Sequence, residues 1–169
     1  MKRIFSLLLS LFLIPLLFSC AKENVLPPPA EQAFEKDGFF LTLDSRFSLS
    51  NSPNAYLSLS SEEVAVFAIR SPFSDYENSN VDENTSLSQW ISYFLNPSNP
   101  QTDPLSYSEK DSLFYTDRIE EESGIRSHHR TFYYKGSDAF WIVDFSTREE
   151  NFPLWESSIF SWAKSVTLP

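Results

Sequence analysis

The chain has 169 residues, a formal charge of −10, and Phe, Trp or Tyr at 16% of its positions. So acidic a chain lacks the clustered cations that nucleic acid demands and has no electrostatic reason to lie flat on an anionic bilayer. With three glycines and one cysteine it offers neither a glycine-rich phosphate loop nor an internal disulfide framework, and no cofactor motif stands out.

The N-terminus has the parts of a secretory signal. Lys2 and Arg3 form a short positive region, residues 4–18 are apolar apart from Ser6 and Ser10, and the small Ser19 precedes Cys20. The apolar run is short for a membrane span, which takes about 20 residues. Leu17-Phe18-Ser19-Cys20 resembles a relaxed lipobox of bacterial lipoproteins, with bulky Phe18 at −2. The resemblance implies cleavage between Ser19 and Cys20 and lipidation of the Cys20 thiol. That chemistry needs a thiolate, and it gives the chain's lone cysteine a purpose. The expected membrane partner is then the lipid bilayer, reached through acyl groups on Cys20. Two or three acyl chains anchor stably where one is marginal. Ala21 follows the cysteine, as in outer-membrane-directed members of that group, which implies an outer-membrane address with either face open. Removing residues 1–19 takes away Lys2 and Arg3 but no acid, so the formal charge moves from −10 to −12.

Residues 23–33 carry Pro27-Pro28-Pro29 and no apolar periodicity, so residues 20–33 are expected to form a lipidated, proline-bearing linker. One domain is expected over 34–169. Gly38-Phe39-Phe40-Leu41-Thr42-Leu43 predicts a strand, and Arg46-Phe47-Ser48-Leu49-Ser50 and Tyr56-Leu57-Ser58-Leu59 predict two short ones. Residues 63–69, apolar on both faces, predict a central strand covered on each side. Residues 72–84 are polar and turn-rich. Leu87, Trp90, Ile91, Phe94 and Leu95 fall on one helical stripe, with Ser86 and Gln89 at capping-box spacing and Asn96-Pro97 as the stop. Residues 96–108 form a loop rich in Pro, Ser and Asn. Strands are expected over 113–121, 125–135 and 138–147, turned at Gly124 and at Lys135-Gly136-Ser137 and therefore antiparallel. A final helix over 149–165 presents Phe152, Trp155, Ile159, Trp162 and Val166 on one face, with Asn151 as cap and Pro153 in the first turn.

Two amphipathic helices and strands with two apolar faces predict an α+β fold. Its mainly antiparallel β-sheet is expected to carry helices on both faces, an α/β/α sandwich. The strand 38–43, the mid-chain helix, the stretch from Trp141 to Phe145 and the ending Ser158-Ile159-Phe160-Ser161-Trp162-Ala163-Lys164-Ser165-Val166 resemble the Mog1/PsbP-like group, including PsbP-related lipoproteins. Members are mostly non-enzymatic binding or assembly factors. The resemblance implies such a role here, and no site residue carries over from it.

Candidate chemistry is sparse. His128 and His129 are adjacent on a strand and so point to opposite faces, which argues against one metal ion taking both. Glu120-Glu121-Glu122 near a hairpin end has the pattern of a solvated edge, with Arg118, Arg126 and Arg130 as cross-strand partners. No G-x-S-x-G elbow is present. Trp90, Trp141, Trp155 and Trp162 offer a sugar or peptide platform, but three of them lie on helical stripes or the central strand, where core is expected, while Tyr115, Tyr133 and Tyr134 are candidate pocket residues. No catalytic, cofactor or metal residue is assigned. The expected function is a non-catalytic, membrane-anchored envelope lipoprotein that binds a protein or small ligand. The alternatives are a carboxylate-based hydrolase using Glu120 to Glu122 with His128, and a structural or antigenic surface protein.

Overall fold

Strand alternation and two helical stripes generate most of the architecture. The computed structural model describes residues 29–77, 79–95 and 104–169. The signal segment, Cys20, Pro27, Pro28 and the Asn96-Pro97 helix stop lie outside the described residues. Nine strands and two helices are present among those described: β1 (Glu31–Lys36), β2 (Phe39–Asp44), β3 (Ser48–Leu49), β4 (Leu57–Ser60), β5 (Val64–Pro72), α1 (Leu87–Phe94), β6 (Ser106–Ser108), β7 (Leu113–Glu122), β8 (Ile125–Lys135), β9 (Ala139–Arg148) and α2 (Phe152–Lys164). Strands β3 to β9 form one sheet in the order β3-β4-β5-β9-β8-β7-β6, antiparallel at every pairing. Strands β1 and β2 form a separate antiparallel pair. The fold is α+β and mostly antiparallel, as the patterning predicts.

The β1–β2 hairpin moves the start of the domain. Glu31 to Ala33 belong to a strand, not to the linker. Only Phe34 is buried in β1, so apolar periodicity gives that strand no signal. The turn at Asp37-Gly38 marks it instead: both residues take positive φ, 47° and 84°, as a two-residue hairpin requires. A Cβ on Gly38 would also stand 3.0 Å from the Pro169 side chain. The chain end is held there by an antiparallel bridge from Phe40 to Thr167. Strand β6, three residues at the sheet edge, falls in the stretch expected to be loop.

Two apolar clusters draw on alternate residues of β9. Trp141, Val143 and Phe145 join Phe132, Val64, Val66 and the β2 residues Phe39, Leu41 and Leu43 in a cluster that includes Phe152, Ile159 and Trp162 of α2. Phe140 and Ile142 join Tyr133 and the α1 residues Trp90 and Ile91. Trp90 stacks flat on Phe140, centroids 4.5 Å apart and planes 5° apart. The expected capping box is present: Ser86 Oγ accepts from the Gln89 amide, and the Gln89 side chain accepts from the Ser86 amide. At α2 a short 3-10 turn over Glu149–Asn151 precedes the helix, and Asn151 makes no side-chain cap. Pro153 occupies the first turn, where its missing N–H is tolerated. Every residue of both clusters lies between Phe34 and Leu168, so a chain starting at residue 29 contains all of the core found among the described residues.

Strand β5 departs from expectation. Val64, Val66 and Ala68 are buried, but Phe67 is half-buried and Ile69 is 39% exposed. Helix α1 is only eight residues long and covers the part of that face over Phe140, leaving the neighbouring part open among the described residues.

Candidate functional site

The open part of the sheet forms a cavity of about 510 Å³. Register fixes its floor. Thr116, Thr131, Asp144 and Phe67 occupy one cross-strand row of β7, β8, β9 and β5, and Arg118 sits opposite His129 in the next. In antiparallel pairs such residues share a face. Phe67, Ile69, Ile142, Tyr133 and the α1 end residues Phe94 and Leu95 supply apolar walls, while Ser52, Asn54 and Ala55 form part of the rim. Phe94 packs on Trp90 at 5.4 Å and edge-on to Tyr133 at 6.5 Å, which joins the cavity wall to the α1 cluster.

The polar floor is a connected set. Asp144 has one carboxylate oxygen 2.9 Å from His129 Nδ1, and the other accepts from the Thr131 hydroxyl at 2.5 Å. Glu120 reaches back over this group, with one oxygen 3.1 Å from Arg118 Nε and the other 3.4 Å from His129 Nε2. The Arg118 contact is close enough for an ion pair but lies outside hydrogen-bond geometry. The buried Arg118 Nε–H therefore has no hydrogen-bond partner among the described residues. Thr116 and Tyr133 share a hydroxyl–hydroxyl bond of 2.9 Å beneath the wall. Burial pushes the Tyr133 phenol up, with the Thr116 contact opposing, so its hydroxyl stays neutral at ordinary pH.

The opposite face holds a different ion network. Arg130, 5% exposed, donates two parallel bonds of 2.8 Å to Asp117 and one of 2.9 Å to Glu156 of α2. Its guanidinium lies 4.8, 4.8 and 4.9 Å from the ring centres of Tyr115, Phe152 and Phe160. His128 stacks on Phe152 at 3.4 Å and contacts Asp117 at 2.8 Å. Desolvation raises the Asp117 carboxyl, but hydrogen bonds from Arg130 and His128 outweigh it and hold the group below its ordinary 3.8. A carboxyl depressed on folding stabilises the native state above its unfolded pKa, and that stabilisation is lost as pH falls through the folded value. Urea midpoints of the wild type should therefore fall between about pH 5 and pH 2, and less steeply in Asp117→Asn. Equal slopes would contradict this role for Asp117.

The sequence-derived candidates separate accordingly. His128 and His129 face opposite sides of β8, as alternation requires. The set Glu120 to Glu122 with His128 does not converge: Glu120 faces His129 and Arg118, while His128 sits against Asp117 under α2. The arginines expected opposite the acid run pair elsewhere or within their own strand: Arg126 with Glu149, Arg130 with Asp117 and Glu156, and Arg118 with Glu120 two residues on. Of the three tyrosines, only Tyr133 lines the cavity. Tyr115 packs on Phe160, and Tyr134 donates to the Ala163 carbonyl of α2. Trp90, Trp141 and Trp162 are buried as expected. Trp155 is partly exposed, bonded to Glu63 and lying under Arg46. Asp144, Thr131, Arg118 and His129 were not singled out together by sequence because they come from three strands. The one local signal is a polar Asp144 and Ser146 interrupting an apolar β9.

No family model matches the chain, and no curated protein matches it in sequence. Among solved structures it is similar to a crystal structure from Bacteroides thetaiotaomicron VPI-5482, at 7% identity and TM-score 0.53, over 83% of this chain and 48% of that one. The chain thus spans about half the length of the Bacteroides protein, and the likeness is one of fold alone. Further similar structures are cyanobacterial PsbP (CyanoP) from Synechocystis sp. PCC 6803 and LpqN, involved in cell envelope biogenesis of Mycobacterium tuberculosis. CyanoP is 11% identical with TM-score 0.49, over 86% of this chain and 96% of that one. LpqN is 11% identical with TM-score 0.47, over 83% and 91%.

Proposed function

We propose that this chain is a lipid-anchored envelope lipoprotein whose domain binds a small ligand, without catalysis, in the open cavity of the sheet. The single observation that carries the reading is the cavity itself: apolar walls around a few converging polar groups, at a volume within the roughly 300–1,000 Å³ usual for small-molecule sites. A non-catalytic role is favoured because the neighbour of the outer nitrogen of His129 is the Glu120 carboxylate, at 3.4 Å, and not a hydroxyl to be activated. The fold reading that goes with it is a helix–sheet–helix sandwich of the Mog1/PsbP kind. Trp90 on Phe140 and Trp162 by Phe145, which lie on alternate sides of β9, support it. The lipobox resemblance of residues 17–20 supports the anchor, and Ala21 supports the outer membrane.

Ligand-observed NMR of residues 29–169 against a mixed fragment set tests the binding role. Ile69 projects from the open face, so Ile69→Trp fills the cavity without entering the core. Fragments that bind the wild type should be lost in this variant. An absence of hits, or hits indifferent to Ile69→Trp, would remove the reading. Turnover of a hydrolase substrate that a single His129→Ala substitution abolishes would remove its non-catalytic part.

A further inference from the structure

The polar atoms left unfilled in the cavity select the head group it takes. Both oxygens of Asp144 are engaged, by His129 and Thr131, so the floor has little to offer a cation. The unfilled position is a donor. Arg118 Nε is buried without a hydrogen bond, and Glu120 stands near it in poor geometry. Glu120 is itself 55% exposed at its side chain, so it is a loosely held carboxylate lying between Arg118 Nε and the outer edge of His129. A surface contact of that kind is worth little and is readily exchanged. Beyond the neighbouring Thr131–Asp144 pair, the same cavity is walled by Phe67, Ile69 and Ile142.

Resting on the binding role proposed above, we infer that the cavity takes an amphipathic monocarboxylate. Its carboxylate replaces that of Glu120 between Arg118 and His129, and its short apolar chain lies along Phe67, Ile69 and Ile142. Glu120 is then an internal stand-in that a ligand displaces. Arg118 is the residue that selects the charge, because a guanidinium matches a carboxylate in geometry as well as in sign. No covalent step is involved.

Calorimetric titration of residues 29–169 with decanoate, decanol and decylamine tests this. Decanoate should bind at least about tenfold more tightly than decanol, and decylamine least of all, since a hydrogen bond to a charged group is worth about that factor. Arg118→Met should bring decanoate down to the level of decanol. Glu120→Gln alters only a half-exposed side chain, so it tests the idea even if Arg118→Met fails to fold; it should tighten decanoate severalfold and leave decanol unchanged. Decanol binding as well as decanoate, with both variants silent, overturns the head-group assignment while leaving the cavity a binding site. Preference for decylamine overturns it as well. If none of the three binds and the fragment set gives no hits, the binding reading falls with it.

Discussion

Arg130→Met should lower the stability of the domain by about 3–5 kcal/mol, a large share of the roughly 5–15 kcal/mol a domain possesses. Arg130 is a buried cation on the inner face of β8, and its three hydrogen bonds go to Asp117 and Glu156. Taking it away leaves Asp117 half-buried with His128 as its remaining hydrogen-bonding partner and removes the cation stacked among Tyr115, Phe152 and Phe160. The loss belongs mainly to the stranded acid, because replacing a whole buried pair by neutral groups is often far gentler than breaking it. Adding Asp117→Asn to Arg130→Met should therefore recover part of the loss. Arg130→Lys, which cannot make the parallel pair of bonds, should fall between wild type and Met. Urea midpoints of these proteins, with Asp117→Asn alone as the fifth, check the series. A double variant worse than Arg130→Met by the full effect of Asp117→Asn would contradict the account, since the two residues would then be acting independently.

Cys20→Ser should abolish lipid attachment. Serine has nearly the shape of cysteine but does not ionise to a nucleophile at ordinary pH, whereas the thioether linkage proposed here starts from a thiolate. With the acyl chains gone, nothing in an acidic domain draws it to an anionic bilayer, and none of the helices among the described residues is long and apolar enough to span one. Cells fed labelled fatty acid should label the wild type and leave the Cys20→Ser protein as an unlabelled precursor. Label on that variant would end the lipoprotein reading, and it would do so without touching the cavity.

Elements with strong periodicity were legible in the sequence. Strands β7, β8 and β9, the stripe of α2 and the capping box of α1 could each be read to within a few residues, because each rests on local alternation or spacing. Strand β1 was not, since five of its six residues are exposed and its signal lies in the following Asp37-Gly38 turn. The cavity was hidden for a related reason. Phe67 and Ile69 look like core residues in β5, and nothing local reveals that α1 is too short to cover them. His129 was visible, but its meaning depended on Asp144 and Arg118, neighbours through strand register alone. His128 was visible too and belongs to the Asp117–Arg130 network that packs beneath α2.

The open face of the sheet, between α1 and the β3–β4 segment, is the surface on which ligand binding is proposed here. Residue-resolved NMR on residues 29–169, with any fragment that binds, locates the bound ligand on the domain. Shifted amides should cluster around Phe67, Arg118, His129, Thr131 and Asp144, with the α2 residues Phe152 to Lys164 unmoved. Shifts confined to α2 and the neighbouring Lys110-Asp111 turn would contradict that placement.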